Sequence, residues 1–452
     1  MPGRIVTLGG EGFPPDWIQL GYSTTPASVI NGFNVARQII DSINNRPDYV
    51  TSFDAADFPG IVYFPGNSVL DIAGMTSFYF KDSSLEYIDF TFPSSTTSYL
   101  LECFKDCHAL RYSKIRFEDG INVSDARYLF NNCDKMYHCD IDISNLGNLE
   151  KLDSAFEGCS QLESITLEND HVDSATSMLK DCTAIKDVNI NFSDASYANN
   201  ICENAGSDHT EAKFTVSIGS DSTVCSYEEA FKGAKITSES GNNSEIHLDH
   251  GLTFVSTFES SYVKGYIYST RREGSYTPDH TECFKGSEFR ATINLITNDD
   301  NNIGNATSMF EDAYIYSSSS NTIKPSNCNS MFKGAHFEPG VDYGSGTYIM
   351  QVLTSVAEDF TDMFKNSNLK KFYGNLPNFN SATVLTDMFA NTPFNNKPDM
   401  NNILSRLANA GSYTGTKTLA ELGLTSDNFT AAEIQAMSNY TTFTAAGWSI
   451  GY

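Results

Sequence analysis

An aromatic or apolar residue followed three positions later by Cys or another small residue recurs along this chain. The pairs are Phe80/Ser83, Phe104/Cys107, Phe130/Cys133, Phe156/Cys159 and Leu179/Cys182, then Cys202/Ala205, Phe231/Ala234, Phe258/Ser261, Phe284/Ser287 and Phe310/Ala313. Phe332/Ala335, Phe364/Ser367 and Phe389/Thr392 close the series. Successive first members lie 24, 26, 26, 23, 23, 29, 27, 26, 26, 22, 32 and 25 residues apart. A period in this range marks a stacked repeat array. After the small residue comes an apolar alternation, as in "LRYSKIRF" (110–117), "LESITL" (162–167) and "IKDVNINF" (185–192). Period two reads as a short strand with one buried face. Before the anchor sits a Ser/Thr/Asp-rich step such as "DSAF", "ATSMF" or "FTDMF", whose side-chain oxygens can accept hydrogen bonds from the next turn's N–H groups. Each unit thus reads as strand, loop and a short helical turn carrying the anchor. One unit cannot bury its apolar face alone, so neighbours stack and the anchors form ladders. The predicted fold is an α+β solenoid, an array of about thirteen units of 22–32 residues with N- and C-terminal caps.

The two ends depart from the pattern. Residues 1–70 contain "TTPASVINGFNVARQIIDSIN" (24–44), with Thr25 placed as N-cap, Pro26 as first helical residue, and Val29, Phe33, Ala36, Ile40 and Ile43 on one stripe. This segment is expected to be a cap and attachment domain, followed by repeats over 71–395. Residues 396–452 are expected to be a helical cap. Helices are predicted near 400–410 and 430–440, with Trp448 and Tyr452 as an aromatic plug.

The units "AFEGCSQLESITL" (155–167), "TSMLKDCTAIKDVNI" (176–190) and "TDMFKNSNLKKFYGNL" (361–376) resemble the BspA-like leucine-rich repeat. The resemblance spans about residues 74–395 and weakens over 198–225 and 260–350, where loops lengthen and the leucines disappear. It implies surface adhesion and recognition. The ending "YTTFTAAGWSIGY" is also similar to the tails of BspA-like proteins of gut bacteria and their phages.

Composition narrows the partners. The 56 acidic residues against 29 basic ones leave a net charge of -27, which opposes binding to nucleic acid or anionic lipid. Eighteen apolar residues never run together, so no transmembrane helix is expected. The start, MPGRIVTLGGEGFPPDW, lacks the apolar stretch of a secretory signal. On that basis a bacteriophage virion component, tail- or head-associated, is expected before a bacterial surface adhesin, the alternative. Its partners would be other virion proteins, through residues 1–70, and a host surface protein or glycan; an oligomer within an assembly also fits.

Candidate chemistry is sparse. Cys107, Cys133, Cys159 and Cys182 share one repeat slot. Their side chains are therefore parallel and badly placed for disulfides, and Ser, Ala and Thr replace them in later units. No C-x2-C pair suggests zinc. His247 and His250 in "EIHLDHGL" are placed on opposite faces of a strand. Signatures such as H-E-x-x-H, G-x-S-x-G and the P-loop are absent from the sequence. The expectation is a non-enzymatic protein without cofactor or metal. Binding is assigned to Tyr262, Tyr266 and Tyr268, evenly spaced and so on one strand face, with Arg271, Arg272 and Tyr276 beside them. Tyr314 and Tyr316 two units on, and Tyr343 and Tyr348 in the longest inter-anchor gap, complete the set.

Overall fold

The structure is a computed structural model of the 452-residue chain. It describes residues 52–54, 63–64, 77–92, 94, 97–219, 224–237, 244–270, 277–289, 292–296, 302–316, 322–337, 351–352, 356–372 and 376–452. The predicted helix at 24–44 lies outside them. The chain divides into two compact units, Met1–Ile218 and Gly219–Tyr452, each built of parallel β-coils with little helix.

In the first unit, Tyr87–Phe92, Tyr112–Phe117 and His138–Ile141 pair in parallel, with Tyr87 opposite Tyr112 and Tyr112 opposite His138. Further on, Ser164–Glu168, Asp187–Phe192 and Lys213–Ile218 form the same kind of ladder. Their burial alternates, so Ile165, Leu167, Val188, Ile190, Phe214 and Val216 point into the core. In the second unit, Ser244–Leu248, Gly265–Thr270 and Thr292–Ile296 pair in parallel. A second ladder there joins the two-residue strands Lys235–Ile236, Tyr262–Val263, Glu288–Phe289, Tyr314–Ile315 and His336–Phe337.

The anchors stack as the spacing predicts. Ring centroids are 5.4, 5.2 and 5.6 Å apart along Phe80, Phe104, Phe130 and Phe156. From Phe231 through Phe258, Phe284, Phe310 and Phe332 to Phe364 they are 5.2, 5.1, 5.1, 5.3 and 5.5 Å apart. These rings are at most 5% exposed.

The expected helical turn at the anchor is corrected. In the Phe156 step, the N–H groups of Ser154, Phe156 and Gly158 donate forward to the carbonyls of Thr176, Met178 and Lys180 in the next coil, at 2.8, 2.9 and 2.9 Å. The intervening Ala155, Glu157 and Cys159 donate to their own chain three residues back. A helix would commit every N–H to a carbonyl of its own chain four residues back; here every second one is committed to the neighbouring coil. That alternation requires left-handed backbone two residues before and two after the anchor. Ser154 and Gly158 have φ 53° and 75°, Tyr128 and Asn132 56° and 60°, Ser308 and Asp312 52° and 55°, and Asp387 and Asn391 56° and 58°. The following position is held by Asp, Asn, Gly or Ser, residue types that enter this region most easily. The Ser or Asp two residues before the anchor, such as Ser154 and Asp362, is thus a backbone-bending residue rather than a helix cap, while Asp153 one residue earlier does accept from the Thr176 N–H of the next coil at 2.9 Å, as expected.

Asn132 also reaches across coils, its amide donating to Asp106 at 2.9 Å. Asn132→Val should destabilise the first unit by about 2 kcal/mol, from left-handed strain on a branched side chain and the lost bond. Asn132→Gly, free of the strain, should cost about half as much. Equal urea midpoints for the two variants would refute this account.

Helix appears at Lys397–Ala408, near the expected 400–410. The predicted 430–440 helix is two short ones, Ala431–Gln435 and Tyr440–Ala445. Thr430 and Glu433 form a reciprocal capping box at the first of these. Trp448 is buried against Tyr413 and Phe443. Tyr452, expected to share its role, is 40% exposed and only donates its hydroxyl to the Phe429 carbonyl.

Candidate binding surface of the coils

Alternation along each strand sends one residue inward and the next outward, and parallel register lines up the outward residues of successive coils. Tyr266 and Tyr268 are such outward residues of Gly265–Thr270. Their rings are 6.1 Å apart, and that of Tyr268 lies 4.5 Å from His247 in the neighbouring strand. Tyr262 does not share their face. Lys264 and Gly265 separate it into another strand and another ladder. Gly265 has φ 148°, and a Cβ there would meet the Ser244 carbonyl oxygen at 2.4 Å. The even spacing of the three tyrosines concealed this corner.

Tyr262 instead joins a row with Lys235, Glu288, Tyr314 and His336, each opposite the next in register. The inward partners Ile236, Val263 and Ile315 are buried. Tyr314 is 50% exposed, and Tyr316, just past its strand, is half-buried. Arg271, Arg272, Tyr276, Tyr343 and Tyr348 lie outside the described residues.

Sequence reading passed over two cross-coil rows. In the first unit Tyr87, Tyr112 and His138 stack 4.7 Å apart at each step, with Arg116 paired to Asp89 and Lys114 to Asp140 beside them. The anchor-plus-one residues of the second unit form an ionic ladder. Lys232 contacts Glu229 at 2.6 Å and Glu259 at 3.0 Å, and Lys285 contacts Glu282 at 2.5 Å. Glu311 is shared by Lys285 and Lys333, at 3.6 and 3.1 Å. The signal was the Lys/Glu alternation at 232, 259, 285, 311 and 333. Burial pushes the Glu311 carboxyl up, but the Ser308 hydroxyl and the two lysines outweigh it and hold it below the usual range. Glu311→Gln should cost about 1 kcal/mol, an effect that fades at high salt. A loss unchanged between 0.05 and 1 M salt, as probe conditions spanning the screening range, would assign it to packing instead.

The shared-slot thiols are buried, and none of the ten cysteines is disulfide-bonded. Each thiol donates back to the anchor carbonyl of the preceding coil: Cys107 to Phe80 at 3.0 Å, Cys133 to Phe104 at 3.0 Å, Cys159 to Phe130 at 3.1 Å and Cys182 to Phe156 at 3.2 Å. Burial pushes the Cys133 and Cys159 thiols well above their ordinary range, away from nucleophilic thiolate. In the second unit Ser261, Ser287 and Thr392 donate a hydroxyl to the anchor of their own coil instead.

His247 and His250 do not occupy one strand. Ser244–Leu248 ends before His250, which sits in a turn at φ 51°. Among the described residues no three His, Cys, Asp or Glu side chains converge as metal ligands, and no helix is long and apolar enough to cross a membrane.

The family model for the BspA-type leucine-rich repeat region matches residues 74–206 in six copies. Residues 74–206 are BspA-type leucine-rich repeats. Neither the curated proteins nor the solved structures compared with this chain give a match. The BspA-type repeats thus coincide with the stretch of the first unit that carries the thiol ladder and the Tyr87, Tyr112 and His138 stack. Repeats of this type suggest a binding or surface protein, because their backbone and inward side chains are committed to stacking and the outward rows remain for partners.

Proposed function

We propose that this protein is a non-enzymatic binding component of a bacteriophage particle, presenting its coils to a protein or a host receptor. In this reading about thirteen units run between an attachment segment at 1–70 and a helical cap at 396–452. The observation that carries the binding role is the pairing of BspA-type repeats at 74–206 with outward rows held in strict register. The buried thiols, pushed towards the neutral form, and the lysines and glutamates engaged with each other favour a scaffold over a catalyst. The BspA-type repeats alone support the coarser reading, a binding or surface protein; the alternative to the virion role is a bacterial surface adhesin.

Mass spectrometry of purified particles and of cell-surface fractions tests the assignment. Peptides from across the chain at stoichiometric copy number in particles are the expected result. Recovery only from bacterial surfaces would replace the virion role with adhesion.

A further inference from the structure

Many outward side chains of the first unit bond across coils. Arg116 pairs with Asp89, Lys114 with Asp140 and Lys186 with Glu163, and the Ser193 hydroxyl donates to Asp170 at 3.1 Å. One patch departs from this habit. On Ser164–Glu168, Asp187–Phe192 and Lys213–Ile218 the parallel register sets Thr166, Asn189 and Thr215 in one rank and Glu168, Asn191 and Ser217 in the next. Thr166, Glu168, Asn191 and Thr215 are exposed, and Asn189 and Ser217 are half-buried. Among the described residues, none of these six side chains bonds to another protein group.

The strands beneath hold them in place. Ile165, Leu167, Val188, Ile190, Phe214 and Val216 point inward between them and are at most 3% exposed. Neighbouring coils advance by about 4.8 Å and alternate residues of one strand stand about 7 Å apart, so the six side chains form a grid of about 10 by 7 Å. They are short, and Thr is stiff at χ1, so they lose little freedom when a ligand settles on them.

The chemistry of the grid selects its occupant. Hydroxyl and amide groups both donate and accept hydrogen bonds, as sugar hydroxyls do. The grid has no aromatic ring, Arg or Met, the residues that anchor protein interfaces. A polyanion is opposed by the net charge of -27. A polycation would meet only Glu168, because Asp187 and Lys213 stand side by side in the adjoining rank and cancel. An extended β-1,4-linked pyranose chain is neutral and advances by about one rung per sugar.

We propose that this grid binds a neutral, β-1,4-linked polysaccharide chain laid across the three strands, its hydroxyls bonded to Thr166, Asn189 and Thr215 and to the rank beside them. The proposal rests on the binding role given above and names its ligand class.

Titration calorimetry and saturation-transfer NMR of the full chain with cello- and N-acetylchito-oligosaccharides test it. Affinity should rise with length to about three sugars, the span of the three rungs, and then level off. Thr166→Val and Thr215→Val keep the branched shape and remove the hydroxyl, and each should weaken the trisaccharide several-fold. Asn189→Ala should weaken it about tenfold. Glu168→Gln, which keeps an acceptor, and Tyr197→Ala, at an exposed residue off the grid, should change little. Thermal melts of every variant separate lost binding from lost folding; if Asn189→Ala unfolds, Asn191→Ala replaces it and should weaken binding several-fold. Absence of binding to both sugar series, binding indifferent to the grid variants, or binding of polylysine or polygalacturonate in place of the neutral sugars overturns the grid. Fractionation with particles or cells reads the binding role separately. Retention there without sugar binding overturns only the grid, whereas sugar binding by a chain found with neither overturns only the assignment above.

Discussion

A chain ending at residue 395 is expected to lose cooperative unfolding of its second unit and to aggregate. The last anchor step has no following coil, and the C-terminal segment takes that place. Asp387 and Phe389 donate to the carbonyls of Glu421 and Leu422 at 2.8 and 2.7 Å, as earlier anchors donate to the next coil. Arg406 donates to the Leu376 and Pro377 carbonyls, Asn428 to those of Thr392 and Phe394, and Asp399 accepts from the Phe372 N–H. Gly423, at φ 75°, lies so close to Ala390 that a Cβ would be 2.6 Å from its backbone nitrogen. Each orphaned buried group costs about 1–3 kcal/mol, and the buried faces of Phe389 and Phe394 would be opened as well. The sum exceeds about 5 kcal/mol, comparable to the stability of a whole domain. Calorimetry and light scattering check this; a truncated chain that melts at the parent temperature without scattering would show that the coils need no such closure.

Acidification should destabilise the second unit through His280. This residue is 3% exposed, stacked 4.6 Å from Phe254, with its ring Nδ1 donating to the Ile303 carbonyl at 2.7 Å. Burial holds the imidazole at about 4, against an ordinary 6.5, outweighing that bond and neighbouring Asp279, which act the other way. The unfolded chain therefore takes up a proton below about pH 6.5 that the folded chain refuses. The contribution is complete above that pH and is lost as pH falls towards 4, by up to about 3 kcal/mol. His280→Phe, which continues the ring stack from Tyr227 and Phe254, should remove this component. Urea midpoints of both proteins between pH 7 and 4 decide it, because carboxylates titrating near 4 affect both alike. Parallel profiles would acquit His280.

Much of this architecture was legible because stacking imposes a spacing on large apolar residues. Phe104, Phe130 and Phe156, with Cys107, Cys133 and Cys159 behind them, can be read directly as ladders. The anchor step was misread because Ser154, Asp362 and Asp387 are residue types equally suited to a helix start and to left-handed backbone; only the matching Gly158, Asn366 and Asn391 two residues beyond the anchor separate the two. The binding surface was half legible. Tyr266 and Tyr268 do share a strand, but Gly265 turns the chain between them and Tyr262, and the partners of Tyr262 come from units 27 residues before it and 26 after it. Cross-coil neighbours such as Lys285 and Glu311 carry no local signal at all and emerge only when equivalent positions are aligned unit against unit.

At the anchor step the backbone N–H groups that bond between coils point one way, from Phe104 to Leu129, from Phe258 to Cys283, from Phe332 to Met363. There the alternate N–H donors of each coil are completed by the coil that follows, while strand donors such as Arg111 and Lys186 go back to Glu86 and Glu163 of the preceding coil. Each coil therefore supplies the carbonyls that the anchor step of its predecessor needs. In the second unit the last such step, at Asp387 and Phe389, is completed by the carbonyls of Glu421 and Leu422.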